Sequence, residues 1–327
     1  MSFLDAAAGS RRVLFFGGKG GVGKTTMASA TALALARTGR RVLVVSTDPA
    51  HNLGHLWRTE VGAGEVQLAD GVWGTELDPA AVARDHVRAV AQTVRGLMPE
   101  HLHRQVDRYF ESTMQAPGTH EAAVFDAIAQ TIESGLERFD LVIFDTAPTG
   151  HTTRLLEMPR IMEMWTDGLL ASRERADRFS DAIRGLDGSR RAPDAVDVRN
   201  TRIRELLEKR KSRFVRVQQR LTDAELTGFV VVTLPERLPV IESIDLYHQL
   251  DDSAMAVPAI LVNRRIEAGY DHWRSQDQTL QVEELLAAVS CPVFELPQQS
   301  GPMTGATAIE AMAEQLTAAR VSSSVHN

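Results

Sequence analysis

The chain has 327 residues, 43% of them hydrophobic, a length that accommodates one large domain or a domain carrying a sizeable insertion. Its formal net charge of -7 argues against nucleic-acid binding, which needs a basic footprint. The one cysteine, Cys291, excludes an intramolecular disulfide and a thiolate-only metal cage, and ahead of Pro292 it reads as a small buried hydrophobe.

In chain order, Val13–Phe16 is the first near-continuous apolar run, the pattern of a parallel strand covered on both faces. It leads into Gly18-Lys19-Gly20-Gly21-Val22-Gly23-Lys24-Thr25, which fits G-x-x-x-x-G-K-[ST] without a mismatch and opens a helix over Thr25–Arg37. A second strand, Val42–Val45, runs into Ser46-Thr47-Asp48-Pro49-Ala50-His51-Asn52-Leu53. Trp73–Leu77 is a weaker strand candidate, and Pro79–Arg138 holds several helices, the last over Glu121–Arg138. Strand Leu141–Phe144 ends in Asp145-Thr146-Ala147-Pro148-Thr149-Gly150-His151. The segment Thr152–Thr227 is mostly helical with a charged middle, interrupted by a flexible Asp187–Pro193.

Strands Phe229–Val232, Ala259–Val262 and Val293–Leu296 then alternate with helices Ile241–Leu250, Val282–Val289 and Ala306–Ala319, before a polar tail, Val321–Asn327. Strand–helix alternation predicts an α/β fold, a doubly wound and mostly parallel sheet. The two long segments, about 79–138 and 152–227, exceed ordinary crossovers. They are expected to form a helical subdomain on one side of a single domain spanning 1–327. No apolar run reaches the ~18 residues of a membrane span, and no secretory signal is visible at the start. A cytoplasmic protein without direct membrane insertion is expected.

The glycine-rich loop carries the strongest chemical signal. Its glycines let backbone N–H groups curl around phosphate oxygens, and the helix N-terminus adds positive potential at the same point. Lys24 is expected to reach the β- and γ-phosphates and the Thr25 hydroxyl to bind Mg²⁺; Gly17–Thr26, with Thr26 included, is the expected ATP phosphate site. Asp48 and Asp145 both fall at the C-terminal ends of strands, where ligands sit in open α/β sheets. Asp48 can orient and polarise an attacking water, and with Thr25 and Asp145 it is expected at the Mg²⁺ site. Asp145, closing an hhhhD strand, belongs near Mg²⁺, through water. Read alone, each aspartate is equally a cap or turn residue. Lys19 alone reads as solvated surface charge.

With its extra lysine, the loop Lys19–Thr26 resembles the deviant Walker A loop of the ParA/MinD, nitrogenase iron protein and arsenite-pump class of P-loop ATPases. That resemblance implies a homodimer with ATP between the subunits and Lys19 reaching the partner's nucleotide. The longer strings S-T-D-P-A-H-N and D-T-A-P-T-G-H resemble the arsenite-pump and tail-anchored-protein targeting ATPases of the guided-entry pathway. By this resemblance Asp48, His51 and Asn52 belong to switch I, with Asp48 catalytic. Asp145 opens switch II, which continues through Pro148, Thr149, Gly150 and His151. Glu76-Leu77-Asp78-Pro79 resembles a recurrent strand end. Asn263 matches the adenine-contacting asparagine, and Leu296–Pro302, with Pro297, occupies the adenine-side loop. The lesser alternative for Asn263 is a strand-end turn residue.

The chain also departs from the family. Arsenite pumps bind the metalloid through thiolates, and no suitable cysteines exist here, so direct three-thiol arsenite binding is not expected. The C-x-x-C zinc clamp of eukaryotic targeting members is absent from Arg264–Trp273, so no zinc site is expected. Met158, Met162, Trp165 and Leu169 recur at helical spacing just after switch II. They offer either an apolar client surface or ordinary core.

The expectation is a Mg²⁺-dependent, homodimeric ATPase whose nucleotide switch controls a helical surface for an apolar protein client. One alternative is the ATPase subunit of an arsenite or anion efflux pump, working on a membrane transporter subunit. Another is a ParA/MinD-like positioning switch, although the C-terminal region lacks the basic–apolar pattern of a membrane anchor.

Overall fold

A computed structural model of the chain describes residues 1–48, 52–97, 103–104, 107–108, 119–146, 195–266, 271–301 and 304–322. His51, the switch II run from Pro148 to His151, the stretch Asp187–Pro193 and the stripe Met158, Met162, Trp165 and Leu169 lie outside the described residues.

The described elements are α1 (Phe3–Ala7), β1 (Val13–Gly17), α2 (Lys24–Ala36), β2 (Val42–Ser46), α3 (Asn52–Trp57), β3 (Val66–Ala69), β4 (Val72–Glu76), α4 (Pro79–Leu97), α5 (Thr119–Arg138), β5 (Leu141–Asp145), α6 (Ala195–Thr222), β6 (Thr227–Thr233), α7 (Arg237–Asp252), β7 (Ala259–Arg265), α8 (His272–Ala288), β8 (Val293–Pro297) and α9 (Ala306–Ala318). The strands form one eight-stranded sheet in the order β3-β4-β2-β5-β1-β6-β7-β8. Every pairing is parallel except β3 with β4. The expected α/β class and mostly parallel sheet are therefore present, with one further strand. The extra strand, β3, returns into β4 across Asp70-Gly71, and Gly71 takes a φ of +72°. An Asp-Gly pair is a two-residue hairpin signal because the turn needs positive φ. Burial is weak along β3, so hydrophobicity alone does not mark it.

Each central strand is buried at every position because it feeds two cores. Leu14 and Phe16 of β1 join one apolar cluster with Met27 of α2 and Met312 of α9. Val13 and Phe15 join the other, with Phe125 of α5, Val217 of α6, Leu246 of α7 and Leu285 of α8. Successive side chains on a strand point to opposite faces, so the clusters lie on the two sides of the sheet. Phe15 stacks on Phe144 of β5 at 4.8 Å and on Phe229 of β6 at 6.1 Å between ring centroids. The strand that carries the glycine loop is thus packed against both neighbours.

Helix α8 starts well before the expected Val282. Asp271 caps it by accepting from the Arg274 backbone N–H at 3.1 Å, and its first turns are too polar to show an apolar face. Helix α7 likewise begins at Arg237, with Pro239 in its first turn, where no intrahelical N–H is needed. Helix α4 lies against α5, and Arg213 of α6 reaches Asp126 of α5 at 3.1 Å. The two ends of the chain meet at the β8 edge: Ser2 bridges Arg320, and Val321 bridges Phe294. Phe3 sets its ring edge-on to Phe294 at 5.5 Å.

Candidate nucleotide site

The site stands on the C-terminal ends of β1, β2, β5 and β7, on one edge of the parallel sheet. The loop after β1 can turn there only with glycine at two points. Gly18 has a φ of +142°, and a Cβ on it would fall on the Val232 carbonyl oxygen of β6. Gly23 caps α2 in the left-handed region, at φ +102°, and a Cβ there would lie 2.7 Å from the Asn263 amide nitrogen. Any other residue would meet both backbone strain and a collision.

At the start of α2 the Lys24 side chain is buried, with its ammonium donating to the Lys19 carbonyl at 3.0 Å. Next to it the Thr25 hydroxyl donates to Asp145 Oδ2 at 2.6 Å. Asp145 is 1% exposed, and its other oxygen, Oδ1, is buried without a hydrogen-bond partner. Burial pushes the Asp145 carboxyl up to about 7; the Thr25 hydrogen bond and the Lys24 charge pull it down, and Asp48 adds to the rise. Burial also lowers the Lys24 ammonium, against the attraction of Asp145 and Asp48. Lys24, Asp48 and Asp145 therefore share one electrostatic site, and desolvation dominates it.

The backbone of β5 ties the strand ends together. Thr47, just past β2, donates its N–H to the Asp145 carbonyl at 3.0 Å, and Thr146 donates its own to the Phe16 carbonyl of β1 at 3.1 Å. Asp48 follows Thr47 directly, so its register is set by the same strand. Asn52 opens α3, which is held at two further points. The indole of Trp57 donates to Ser29 on α2 at 3.1 Å, and the Gly54 N–H donates to the buried Glu76 carboxylate at 3.0 Å. Glu76, expected only as a recurrent strand end, is the residue that seats α3 on β4.

Asn263, at the last buried position of β7, uses its amide on the loop itself. Nδ2 donates to the Val22 carbonyl at 2.9 Å, and Oδ1 accepts from the Arg264 N–H at 2.9 Å. Pro297 ends β8 beside Arg265 of β7. Lys19 turns its ammonium away from Lys24 and onto Glu242 of α7, at 2.8 Å. The sequence offers no signal for that pair, because 223 residues separate its members.

The family model for anion-transporting ATPases matches residues 11–318 of the chain. The chain belongs to the anion-transporting ATPase family. Among its relatives is the "ATPase ASNA1 homolog 1" of Paramecium tetraurelia, 32% identical over 253 residues that cover 77% of this chain and 74% of the relative. The "ATPase GET3" of Podospora anserina is 33% identical over 266 residues, 80% of this chain and 75% of the relative. The "Arsenical pump-driving ATPase" of Acidiphilium multivorum is 31% identical over 290 residues, 87% of this chain but 45% of that longer protein.

As a member of the anion-transporting ATPase family, the chain hydrolyses ATP. Two hard oxygen donors, the Thr25 hydroxyl and the Asp145 carboxylate, face each other beside the loop after β1, the donor type that Mg²⁺ takes. Among the described residues no group of three or more His, Cys, Asp or Glu could hold a metal ion. An ion at Thr25 and Asp145 would need phosphate oxygens to complete its shell. No described helix is long and apolar enough to cross a membrane.

Proposed function

We propose that this ATPase works as a Mg²⁺-dependent homodimer whose nucleotide state controls a helical surface that handles an apolar protein client. The convergence of Lys24, Thr25 and Asp145 carries the Mg²⁺–ATP part of the reading. A buried carboxylate oxygen without a partner, beside a hydroxyl and an ammonium, fits an ion and a phosphate better than it fits an empty fold. Mg²⁺ held between Thr25 and Asp145 would neutralise charge on the phosphates. Lys24 would leave the Lys19 carbonyl for the phosphates, and Asp48 would orient water toward the γ-phosphorus.

The homodimer, with Lys19 facing the partner's phosphates, rests on the resemblance of the loop to deviant Walker A ATPases. The client surface is assigned to the helical subdomain of segments 79–138 and 152–227, and to Met158, Met162, Trp165 and Leu169 in particular. A single thiol supports client handling over direct metalloid binding. Cys291 is half-buried, and burial pushes it up to about 11, so it is a poor soft ligand near neutral pH. A cytoplasmic location suits the cysteine-poor composition.

The test has two arms. Lys24→Ala should abolish Mg²⁺–ATP binding, measured by calorimetry. Hydrogen exchange across Leu155–Leu170 should change when Mg²⁺–ATP is added to the Asp48→Asn protein. Unchanged ATP affinity in the first arm overturns the phosphate role of Lys24. Unchanged protection in the second leaves the stripe as ordinary core.

A further inference from the structure

Lys19 sits at a junction between the nucleotide loop and α7. Its carbonyl accepts the Lys24 ammonium at 3.0 Å, while its own ammonium is paired with the Glu242 carboxylate at 2.8 Å. Both side chains are about one-third exposed, 31% for Lys19 and 34% for Glu242, so the pair lies at the surface beside the phosphate loop. The same helix face carries two exposed large apolar side chains, Leu238 at 57% and Ile241 at 37%. Leu238 lies one turn before Glu242, and Ile241 directly precedes it. Two exposed apolar side chains beside an internally satisfied charge pair suit burial against another protein face.

We propose that Glu242 is a positioning residue, a latch that holds Lys19 within its own chain and is opened when two copies of the chain close over ATP. The inference rests on the homodimer reading above and adds its regulation. One Lys19 ammonium cannot lie against Glu242 and also reach across to a partner's phosphates. Each closure therefore opens two Lys19–Glu242 pairs and forms two trans contacts. Nucleotide entry is linked to the latch through residue 19, because phosphates that draw Lys24 away take the hydrogen bond from the Lys19 carbonyl. A chain without ATP keeps its Lys19 neutralised, so its loop presents no free cation to the wrong anion.

The pair is partly exposed and screened, so its opening costs little for each chain, but the cost enters twice per dimer. With hydrolysis stopped by Asp48→Asn, saturating Mg²⁺–ATP and a protein concentration series, sedimentation gives the dimer dissociation constant. Adding Glu242→Gln should lower that constant by roughly fivefold, the effect of two exposed pairs. Glu242→Asp, which keeps the charge, should restore the parent value. Asp245→Asn, which removes a neighbouring charge from the same exposed face, should also leave it at the parent value. A Glu242→Gln constant equal to the parent's overturns the latch, and so does an equal gain from Asp245→Asn, which would mark general charge repulsion. If the Asp48→Asn protein stays a single chain at every concentration under ATP, the homodimer reading fails and the latch fails with it. A dimer indifferent to Glu242 removes the latch alone.

Discussion

Thr25, in the first turn of α2, and Asp145, the last residue of β5, share a 2.6 Å hydrogen bond across 120 residues of chain. Among the described residues it is the one side-chain hydrogen bond on a carboxylate whose second oxygen is buried without a partner. Thr25→Ala would leave both oxygens unpaired. The nucleotide-free protein should lose about 1–3 kcal/mol of stability, the cost of stranding a buried acceptor, measured by urea unfolding. Mg²⁺–ATP affinity should fall as well, because the same hydroxyl is a proposed ligand.

The pH dependence of the nucleotide-free protein follows from Asp145. Its carboxyl is raised from 3.8 to about 7 in the fold. Between those values the native chain holds a proton that the unfolded chain has released, so stability falls as pH rises. The slope is at most about 1.4 kcal/mol per pH unit for one proton. Asp145→Asn lacks this loss. Its stability relative to the parent should rise between about pH 4 and pH 7 and then level off, while its Mg²⁺–ATP affinity falls. A pH-independent difference in unfolding midpoint would show that Asp145 is not the titrating group.

Asp48→Asn keeps the size of the side chain and removes its charge and most of its proton affinity. ATP should still bind, and single-turnover hydrolysis should slow by roughly 10²–10⁴-fold, the usual worth of a positioned base. A parent-like rate would remove Asp48 from the chemistry and leave it a structural residue at the end of β2.

Asn263 joins the loop to β7 through Val22 and to its own neighbour Arg264. Asn263→Ala should cost about 1–3 kcal/mol of stability for the buried backbone groups it abandons. A base contact is a separate property with a separate readout: ATP affinity should fall more than GTP affinity. Equal losses for the two nucleotides would confine Asn263 to bracing the loop.

Cys291 should be slow to alkylate in the folded protein. With its thiol raised to about 11, the thiolate at pH 9 is only about 1% of the population. Iodoacetamide labelling followed by mass spectrometry should accelerate sharply on unfolding in urea. Cys291→Ser should leave ATP hydrolysis unchanged, with or without arsenite.

The parallel strands were legible because each is apolar on both faces, and the loop because its eight residues carry their own geometry. Asp48 and Asp145 were legible from the strands they end. What escaped depends on partners distant in the chain. Glu242 is one carboxylate on a helix until Lys19 lies beside it. Asn263 could be placed at a strand end, but its hydrogen bond to Val22 belongs to the folded loop. Strand β3 was missed because it is a half-exposed edge strand, and only its partner β4 was read, as Trp73–Leu77. Helix α8 was read short because its first turns are polar and held by a cap.

The contact of α1 with the β8 edge sets an order of assembly. Phe3 is synthesised well before the ring it rests against, Phe294. Synthesis at roughly 5–20 residues per second leaves α1 waiting many seconds for its seat. During that interval part of its apolar side lacks its native cover, although β6 and β7, which it also touches, are already made. Full docking of α1 thus reports that β8 has arrived.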